Sequence, residues 1–504
     1  MRKLNVGLVT VLLATSAALF ACEPAAAPNP PATPRPGGGV QVSLAGPVRS
    51  AEPTLLGLNG VNLKGPRWDE RSFDKALRRF APGVIRYAGG TVANYWSWPD
   101  GWFQPGRWPG EPAQAIDDRL GVFAVGLRAA AAAPLFDLNT VTYRGVVGSA
   151  AHNAAMLGQQ LSFLRSAAAS GVGVTMVELG NEVYLKGFRS DPPGPNNRDY
   201  ARRFPTAASY ATQMNPWIAA IHRAFPGVKI ATVATDTTDV TYIAERRLTW
   251  NAVVLPLLRG EDAVTVHENL RVSDASDTAA ALLAVPYLHF KKLQAHELAV
   301  FRSRGLPVWI TEFNLVDLTP KHVFQGTWLH GLFVAEEALL FLSDPTITYV
   351  GLNATVGSAQ AAAIFADRHG FGDKGPPTVP SALTAGGTAL SVIQSAFHRA
   401  SSARPLAFTG AAKLAGAGTP ALVGEALRTP AGPELVLVNL SPRPVTLNLA
   451  AIFPHGFKAT QLSARSARTL VTGPKSTTRR SAYGTTKLRV EPHALVDVFA
   501  RGQR

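Results

Sequence analysis

The chain of 504 residues contains a single cysteine, Cys22, so no disulfide can form within it. Thiol nucleophiles and zinc–thiolate sites are therefore not expected. No histidine pair has the spacing of a metal-binding helix, and no serine lies in a nucleophile elbow. We therefore expect neither a metal nor a cofactor, and other side chains must carry any chemistry.

Acidic residues are scarce relative to basic ones. The chain has 34 Asp and Glu against 49 Lys and Arg, a net charge of +15. Residues 401–504 alone hold 14 basic and 4 acidic residues, so most of the excess lies in the C-terminal quarter. Such a surface either attracts an anionic polymer or is simply solvated. Aromatic residues do not interleave with these charges, so we expect no nucleic-acid partner.

The first 39 residues have the pattern of an export signal followed by a spacer. Arg2 and Lys3 precede an uncharged apolar run over residues 6–20, which is too short for a membrane span. The run ends in Leu-Phe-Ala-Cys, which resembles the lipobox of a bacterial lipoprotein. We expect a signal peptide over 1–22, a Pro/Ala/Gly linker over 23–39, and a protein anchored at the cell envelope through a lipid on Cys22. Secretion after ordinary signal cleavage is the alternative.

Eight short apolar runs recur along the chain, and most precede an Ala- and Leu-rich stretch with helical periodicity. The runs do not alternate with polar residues, which indicates a sheet covered on both faces. They predict a (β/α)8 barrel over residues 54–399. A doubly wound α/β sheet is the competing architecture, but the first βα turn has no glycine-rich phosphate motif. The predicted strands are 54–62, 83–90, 134–140, 174–181, 229–235, 263–269, 307–314 and 347–355.

After residue 400 the pattern changes to short alternating runs separated by Pro and Gly. These runs predict an antiparallel β-sandwich over residues 400–504. Residues 40–53 begin with the strand-like sequence Val-Gln-Val-Ser-Leu. We expect this segment to join the sandwich from the N-terminal side.

Two glutamates stand at the ends of predicted barrel strands, where active sites of such barrels are built. Glu182 ends the fourth strand run, and Glu312 ends the seventh. Strands four and seven lie across the mouth of a closed eight-stranded barrel, so the two carboxylates are expected to face each other. Hydrolysis of a glycosidic bond requires a facing pair of this kind.

Three motifs resemble those of a known enzyme clan. They are "ELGNE" at 178–182, "WITEFN" at 309–314 and "GVIRYAGGTVANYW" at 83–96. Together they resemble TIM-barrel retaining glycosidases with catalytic glutamates at strands four and seven. Within that clan the chain most resembles the heparanase and β-glucuronidase family, with the arabinofuranosidases next. The similarity extends over roughly residues 54–400 and the C-terminal sandwich.

The resemblance implies a role for each matching residue. Glu182 is the acid/base, with a pKa raised before reaction, and Glu312 is the nucleophile. Asn181 binds the hydroxyl next to the anomeric carbon. Arg86 lies beneath the nucleophile and keeps it ionised, and His267 lines the sugar site. Glu178 is expected to lie deeper and support the others.

Asn139, after the third strand, and Trp96 are further predicted substrate contacts. Trp96 belongs to an aromatic-rich second loop whose rings either stack on a sugar or form a small hydrophobic core that holds the loop. These rings are Tyr95, Trp96, Trp98, Trp102, Phe103 and Trp108. After the eighth strand, Arg368, His369 and Lys374 are candidates for binding the carboxylate of a uronate.

Some positions depart from the resembled pattern and leave the sugar undetermined. Val177 and Val183 stand where many relatives have Trp and Pro, and Glu268 and Asn269 follow His267 where relatives often carry an aromatic residue. The expected substrate is an oligo- or polysaccharide, and a uronic-acid-containing chain is one candidate. A non-catalytic carbohydrate-binding or adhesion protein on the same barrel, and a transglycosidase, are the alternatives.

Overall fold

Eight parallel strands close into a barrel at the centre of the protein. The computed structural model describes residues 39–63, 65–104, 114, 116–142, 149–185, 199–238, 245–274, 278–357, 361–366 and 377–502. With strands numbered in chain order, the barrel consists of β3 Leu56–Asn59, β4 Val84–Tyr87, β7 Ala133–Asp137, β8 Met176–Glu178, β9 Lys229–Val233, β10 Ala263–Val272, β11 Val308–Asp317 and β12 Ile347–Leu352. They pair in that order, and β9 pairs with β10 to complete the ring. The predicted barrel is confirmed.

Side chains that point into the barrel fill its lower half. Alternation along the strands directs Val84, Leu135, Trp309 and Tyr349 into one buried cluster with two alanines. The two large rings occupy the axis, so the barrel is a packed core rather than a channel. The space that remains for a site lies above this cluster, at the carboxyl ends of the strands.

Helices surround the barrel because each presents an apolar stripe at helical spacing. In the first of them, Phe73, Ala76, Leu77 and Phe80 are buried while the charged residues between them face outward. The helices are α1 Arg71–Phe80, α2 Gly90–Ala93, α3 Leu120–Ala130, α4 Ala150–Ala169, α5 Asp199–Arg203, α6 Ala207–Ala224, α7 Glu245–Val254, α8 Ala279–Leu282, α9 Val285–Leu293, α10 Ala299–Ser303, α11 Trp328–Leu342 and α12 Ala385–Arg399. Among the described helices, none has the length and hydrophobicity needed to cross a bilayer.

A second, mixed sheet follows α12 and forms the sandwich. Its strands are β1 Val40–Leu44, β2 Arg49–Ser50, β15 Ser402–Thr409, β16 Leu422–Thr429, β17 Gly432–Asn439, β18 Val445–Asn448, β19 Phe457–Ala464, β20 Thr477–Gly484, β21 Lys487–Val490 and β22 Ala494–Ala500. β1 lies between β15, to which it is antiparallel, and β18, to which it is parallel. The N-terminal segment therefore completes the sandwich. Short ribbons formed by β5 Trp96–Ser97 with β6 Trp102–Phe103, and by β13 Val356–Gly357 with β14 Ile364–Phe365, lie outside both sheets.

The helix α11 joins the two parts. All fifteen of its residues are buried, because it packs against barrel strands on one side and sandwich strands on the other. Its backbone amides at Trp328 and Leu329 donate to the carbonyls of Thr469 and Ala467 in a sandwich loop. Several residues singled out from the sequence lie outside the described ranges: Cys22 with the rest of 1–38, Trp108, Arg368, His369 and Lys374.

Candidate active site

The loop after β8 brings two predicted site residues over the barrel axis. β8 ends at Glu178, and the chain then turns sharply, with positive φ at Gly180 (89°) and at Glu182 (47°). A Cβ at Gly180 would lie 2.3 Å from Thr140 Oγ1, so only glycine fits there. A non-glycine residue with positive φ is uncommon and occurs often at functional sites. This turn places Glu182 above Glu178 at the barrel mouth.

Arg86 on β4 is fully buried and contacts several other side chains of the site. Its Nε donates to Glu178 Oε2 (2.6 Å), its Nη1 to Glu312 Oε1 (3.0 Å) and its Nη2 to Asn181 Oδ1 (2.8 Å). Asp137 Oδ2 forms a further close ion pair with Nη2 at 2.7 Å. The guanidinium fork is therefore occupied by protein groups, so Arg86 orients the site rather than binding substrate directly.

Glu312 on β11 accepts hydrogen bonds at both carboxylate oxygens. Besides Arg86, Asn59 Nδ2 donates to Oε1 (3.1 Å). Asn269 Nδ2 and Asn353 Nδ2 donate to Oε2 at 3.2 and 2.9 Å. Donors of this kind favour the charged form of a carboxylate and fix its orientation. The orientation of the Glu312 carboxylate is therefore fixed by four protein donors.

His267 on β10 connects the two predicted catalytic glutamates. Its Nδ1 lies 3.1 Å from Glu182 Oε1 and 3.7 Å from Glu312 Oε2. These two distances set an upper limit of about 7 Å on the separation of the two carboxylate oxygens. The limit covers the ~5–5.5 Å typical of retaining glycosidases and leaves only the lower edge of the ~6.5–9.5 Å typical of inverting ones. The side chain of Glu182 is 24% exposed and that of Glu312 is 7% exposed, so Glu182 is the more accessible of the two.

The pKa of Glu182 differs from the prediction. Burial raises the pKa of its carboxyl, but the hydrogen bond and charge of His267 outweigh burial, so the net pKa lies below its ordinary value. Burial lowers the pKa of His267, yet the charges of Glu312 and Glu182 raise it overall. The prediction of a raised pKa for Glu182 is therefore wrong, because the close contact with His267 cannot be read from the sequence.

Asn181 has one polar atom left for a ligand. Its Oδ1 is taken by Arg86, and its backbone N–H donates to Asn94 Oδ1 (3.1 Å). Its Nδ2 is buried and has no partner among the described residues. A buried amide donor without a partner is costly, and native proteins rarely keep one without a reason. The side chain is thus a ready donor to a hydroxyl bound beside Glu182.

Two glycines after β4 leave room for the Glu312 carboxylate. Gly89 and Gly90 both have positive φ, at 83° and 63°. A Cβ on Gly89 would lie 2.1 Å from Asn59 Oδ1, and one on Gly90 would lie 3.3 Å from Glu312 Oε1. The Gly-Gly pair of the "RYAGG" motif therefore lets the backbone pass directly beneath the carboxylate.

Two predicted substrate contacts take structural roles instead. Asn139 is fully buried and its amide is saturated: Nδ2 donates to Trp96 O and Thr142 Oγ1, and Oδ1 accepts from the backbone N–H groups of Val141 and Thr142. Trp96 is 1% exposed and packs edge-on against Phe103 within the loop. Neither residue presents a surface to a sugar, so both predictions are corrected: they hold the loops that frame the mouth.

The other described aromatic residues of the second loop are buried with Trp96. Trp98 stacks on Phe163 of α4 with ring centroids 3.7 Å apart, and its Nε1 donates to Gln160 Oε1. Trp102 and Phe103 pack on each other. The small hydrophobic core, rather than a sugar platform, is the arrangement that this part of the chain adopts.

Sequence reasoning missed Asp137 and Thr311. Asp137 is the last residue of β7 and lies inside the predicted third strand. Burial raises the pKa of its carboxyl well above the usual range, although the charge of Arg86 lowers it. Thr311 Oγ1 lies 3.1 Å from His267 Nε2 and donates to Glu178 Oε1 at 3.3 Å. In a regular strand, the side chains of the neighbours Thr311 and Glu312 would point to opposite faces. The pairing of β10 with β11 is irregular at this point, so the regular alternation is lost.

The sequence matches no protein-family model and has no significant match among curated proteins. Solved structures are similar in fold. The α-L-arabinofuranosidase from Thermotoga maritima, in complex with arabinose, aligns over 91% of this chain and 99% of its own, with a TM-score of 0.66 and 15% identity. The GH51 arabinofuranosidase from Xanthomonas axonopodis pv. citri gives the same coverage, a TM-score of 0.67 and 14% identity.

A third similar structure is the 4-O-α-L-rhamnosyl-β-D-glucuronidase from Fusarium oxysporum, in complex with Rha-GlcA. It covers 91% of this chain and 99% of its own, with a TM-score of 0.60 and 14% identity. At these identities the likeness establishes the fold, a TIM barrel with a C-terminal β-sandwich. What the site does must be argued from its own geometry.

Proposed function

We propose that this protein is a retaining glycoside hydrolase with Glu312 as nucleophile and Glu182 as acid/base. The observation that carries the proposal is the convergence of both carboxylates on one nitrogen of His267, at 3.1 and 3.7 Å. Their chemical surroundings differ as the mechanism requires. Glu312 is held by four protein donors, whereas Glu182 accepts from His267 and Tyr184 and is more exposed.

In the first step, a Glu312 oxygen attacks the anomeric carbon while the bond from that carbon to the leaving oxygen breaks. Glu182 gives its proton to the leaving oxygen. The sugar that covers Glu182 removes water from this carboxyl, and desolvation favours the protonated form needed for that transfer. The products of the step are a glycosyl ester on Glu312 and the released alcohol.

In the second step, Glu182 takes a proton from a water molecule, whose oxygen attacks the anomeric carbon and displaces Glu312. Two inversions leave the configuration of the sugar unchanged. Asn181 Nδ2, the buried donor without a partner, hydrogen-bonds the neighbouring sugar hydroxyl in both steps. Arg86 and the three asparagine donors hold Glu312 in place throughout.

We propose a saccharide that contains uronic acid as the substrate, with an arabinofuranoside as the competing class. Support for the first comes from the resemblance of residues 83–96 to the glucuronidase motif, and from a glucuronidase among the similar structures. Support for the second comes from the arabinofuranosidases among those structures. A panel of aryl glycosides, beginning with the glucuronide and the arabinofuranoside, separates the two.

The test of the activity itself is the Glu312→Gln variant on whichever aryl glycoside is turned over. Loss of the nucleophile should reduce kcat by roughly 10⁴-fold or more while the fold, followed by circular dichroism, is unchanged. Hydrolysis at the parental rate would remove Glu312 from its role. Saccharide binding without any turnover in the parent would favour the non-catalytic alternative, and transfer to added acceptor sugars would identify a transglycosidase.

We further propose that the enzyme is exported and anchored to the cell envelope through a lipid on Cys22. The support is the sequence of residues 1–22 and the Pro-rich segment that follows. Expression in a bacterial host with a labelled fatty acid should label the parent but not Cys22→Ser. Equal labelling, or release of both into the medium, would contradict anchoring.

A further inference from the structure

Three side chains of metal-ligating type meet on the outer side of the barrel wall, away from the two catalytic glutamates. Asp236 follows β9, Glu268 lies on β10 next to His267, and His289 lies on α9. His289 Nε2 is 2.6 Å from Glu268 Oε2 and 3.4 Å from Asp236 Oδ2. One ligand atom from each residue lies within 4.8 Å of the other two. A single nitrogen thus faces two carboxylate oxygens at a point where three elements converge.

The surroundings of this cluster are almost dry. Asp236 and Glu268 are each 1% exposed, and the His289 side chain is 12% exposed. Glu268 Oε1 is buried without a hydrogen-bond partner among the described residues. A buried carboxylate oxygen without a donor is expensive, because the charge has lost its water and gained nothing in return.

A further buried carboxyl group lies on α11, the helix that packs against α9. Glu337 on α11 is 1% exposed, and neither of its oxygens has a hydrogen-bond partner in the described part of the chain. Burial raises the pKa of Glu337 well above its usual range, and the charge of Glu268 raises it further. The oxygens of Glu268 and Glu337 without partners show that the described residues supply too few hydrogen-bond donors for the buried carboxyl groups of this region.

We propose that Asp236, Glu268 and His289 form a binding site for a divalent transition-metal cation of the zinc type. One imidazole nitrogen and two carboxylate oxygens are a donor set that zinc accepts readily. Calcium and magnesium prefer ligand sets made only of oxygen, so the histidine argues against them. The cation displaces the proton that His289 Nε2 and Glu268 Oε2 share at 2.6 Å, and these two atoms move apart to bind it together with Asp236 Oδ2.

The residues around Asp236 already orient it as a ligand. The backbone N–H and the Oγ1 of Thr238 both donate to Asp236 Oδ1 at 2.7 Å, and Asp236 Oδ2 lies 3.4 Å from His289 Nε2. Outer hydrogen bonds of this type fix the ligands of metal sites. The bound cation ties β9, β10 and α9 together and compensates the buried acidic charge, so its role is structural.

Metal content tests the proposal without any need for catalytic activity. The probe is Zn²⁺ on the tag-free full chain, carried in a Cys22→Ser background so that the lone thiol cannot bind it. After chelator treatment and dialysis, the protein is titrated with Zn²⁺, and bound metal is measured by mass spectrometry. We expect about one equivalent per chain and a rise in Tm of at least ~3 °C at saturation.

The near-isosteric variants Glu268→Gln and Asp236→Asn should each weaken Zn²⁺ binding by at least ~10-fold. His398→Gln, which changes an imidazole of α12 outside the cluster, should bind as the parent does. Co²⁺ in place of Zn²⁺ should give the visible absorption of a low-coordinate site in the parent, which keeps the proposal testable even where a variant is unstable. Binding of less than ~0.2 equivalents by the parent, or equal affinity in both cluster variants, would overturn the proposal.

Discussion

Replacement of Asn181 by alanine tests how the site recognises its transition state. In the structure, Asn181 Oδ1 accepts from Arg86 Nη2 at 2.8 Å, and its buried Nδ2 has no partner in the described ranges of the chain. Alanine removes both groups. The first loss loosens one contact of an arginine that keeps its contacts to Glu178, Glu312 and Asp137. The second removes the donor that we assign to the sugar hydroxyl beside the anomeric carbon.

The two losses differ in size. A preorganised donor aimed at charge that develops in the transition state contributes ~2.7–4 kcal/mol, or about 10²–10³ in kcat. One of several hydrogen bonds to a charged group contributes ~1.5–3 kcal/mol when fully lost, and less where the remaining contacts of Arg86 persist. We therefore expect kcat of Asn181→Ala to fall by about 10²–10³, of which no more than ~10-fold comes from Arg86.

The assay compares two aryl glycosides that differ only in the hydroxyl next to the anomeric carbon. On the 2-deoxy substrate the donor has nothing to bind, so Asn181→Ala should cost at most ~10-fold. Asn269→Ala is the matched control, because Asn269 Nδ2 donates to Glu312 Oε2. It should slow both substrates by the same factor.

The result that refutes this reasoning is an equal loss on both substrates for Asn181→Ala. Such a loss would mean that the residue acts through Arg86 or through the fold. A KM that rises while kcat is unchanged would also contradict it, because the contact would then be equally strong in the ground state.

Three further changes test other parts of the site. Glu182→Gln should slow hydrolysis by about 10²–10⁴-fold. Azide needs no base to attack, so it should restore turnover of the variant and yield a glycosyl azide of retained configuration. If azide fails to restore turnover of an activated substrate, Glu182 is not the acid/base. Asn139→Ala should leave two buried N–H groups without an acceptor and destabilise the fold by about 2–4 kcal/mol. The measured result should be a lower Tm, with kcat changed by less than ~3-fold. A large loss of kcat at an unchanged Tm would show that Asn139 contacts the substrate after all. Gly90→Ala should lower kcat as well as Tm, because its Cβ would press on Glu312 Oε1. Gly171→Ala has a similar φ of 76° with nothing within 4 Å of its Cβ, and should lower Tm alone; equal kinetic effects of the two alanines would contradict the contact.

The barrel could be read from the sequence because its signals are local. Fully covered parallel strands appear as unbroken apolar runs, and all eight coincide with observed strands to within a few residues. The helix α11, by contrast, is buried on every side and contains Glu336 and Glu337, which no pattern of an amphipathic surface helix would place inside. One side of this helix is covered by the sandwich, more than 80 residues later in the chain.

The site could be predicted only where strand register and motif agree. Glu182, Glu312, Asn181, Arg86 and His267 were identified because each is near the end of a predicted strand or in the turn after it, although β10 and β11 continue to Val272 and Asp317. Asn139 is also near a strand end, but its amide is consumed by the turn that it forms, and turn hydrogen bonds are invisible in a strand pattern.

Electrostatic and long-range features could not be predicted from the sequence for a related reason. The lowered pKa of Glu182 depends on its contact with His267, which is 85 residues away in sequence. The proposed metal ligands likewise come from a loop, a strand and a helix, so no short sequence motif indicates Asp236, Glu268 and His289. Such contacts follow from the closure of the barrel and not from any single segment.

The most direct test of the account is to trap the covalent intermediate. A 2-deoxy-2-fluoro glycosyl fluoride of the preferred sugar should inactivate the protein with one adduct per chain. Mass spectrometry of the digested protein should place that adduct on the peptide that carries Glu312, and Glu312→Gln should remain unlabelled. An adduct on Glu178, Glu182 or any other residue, in a protein that still hydrolyses the parent sugar, would contradict the assignment of the nucleophile.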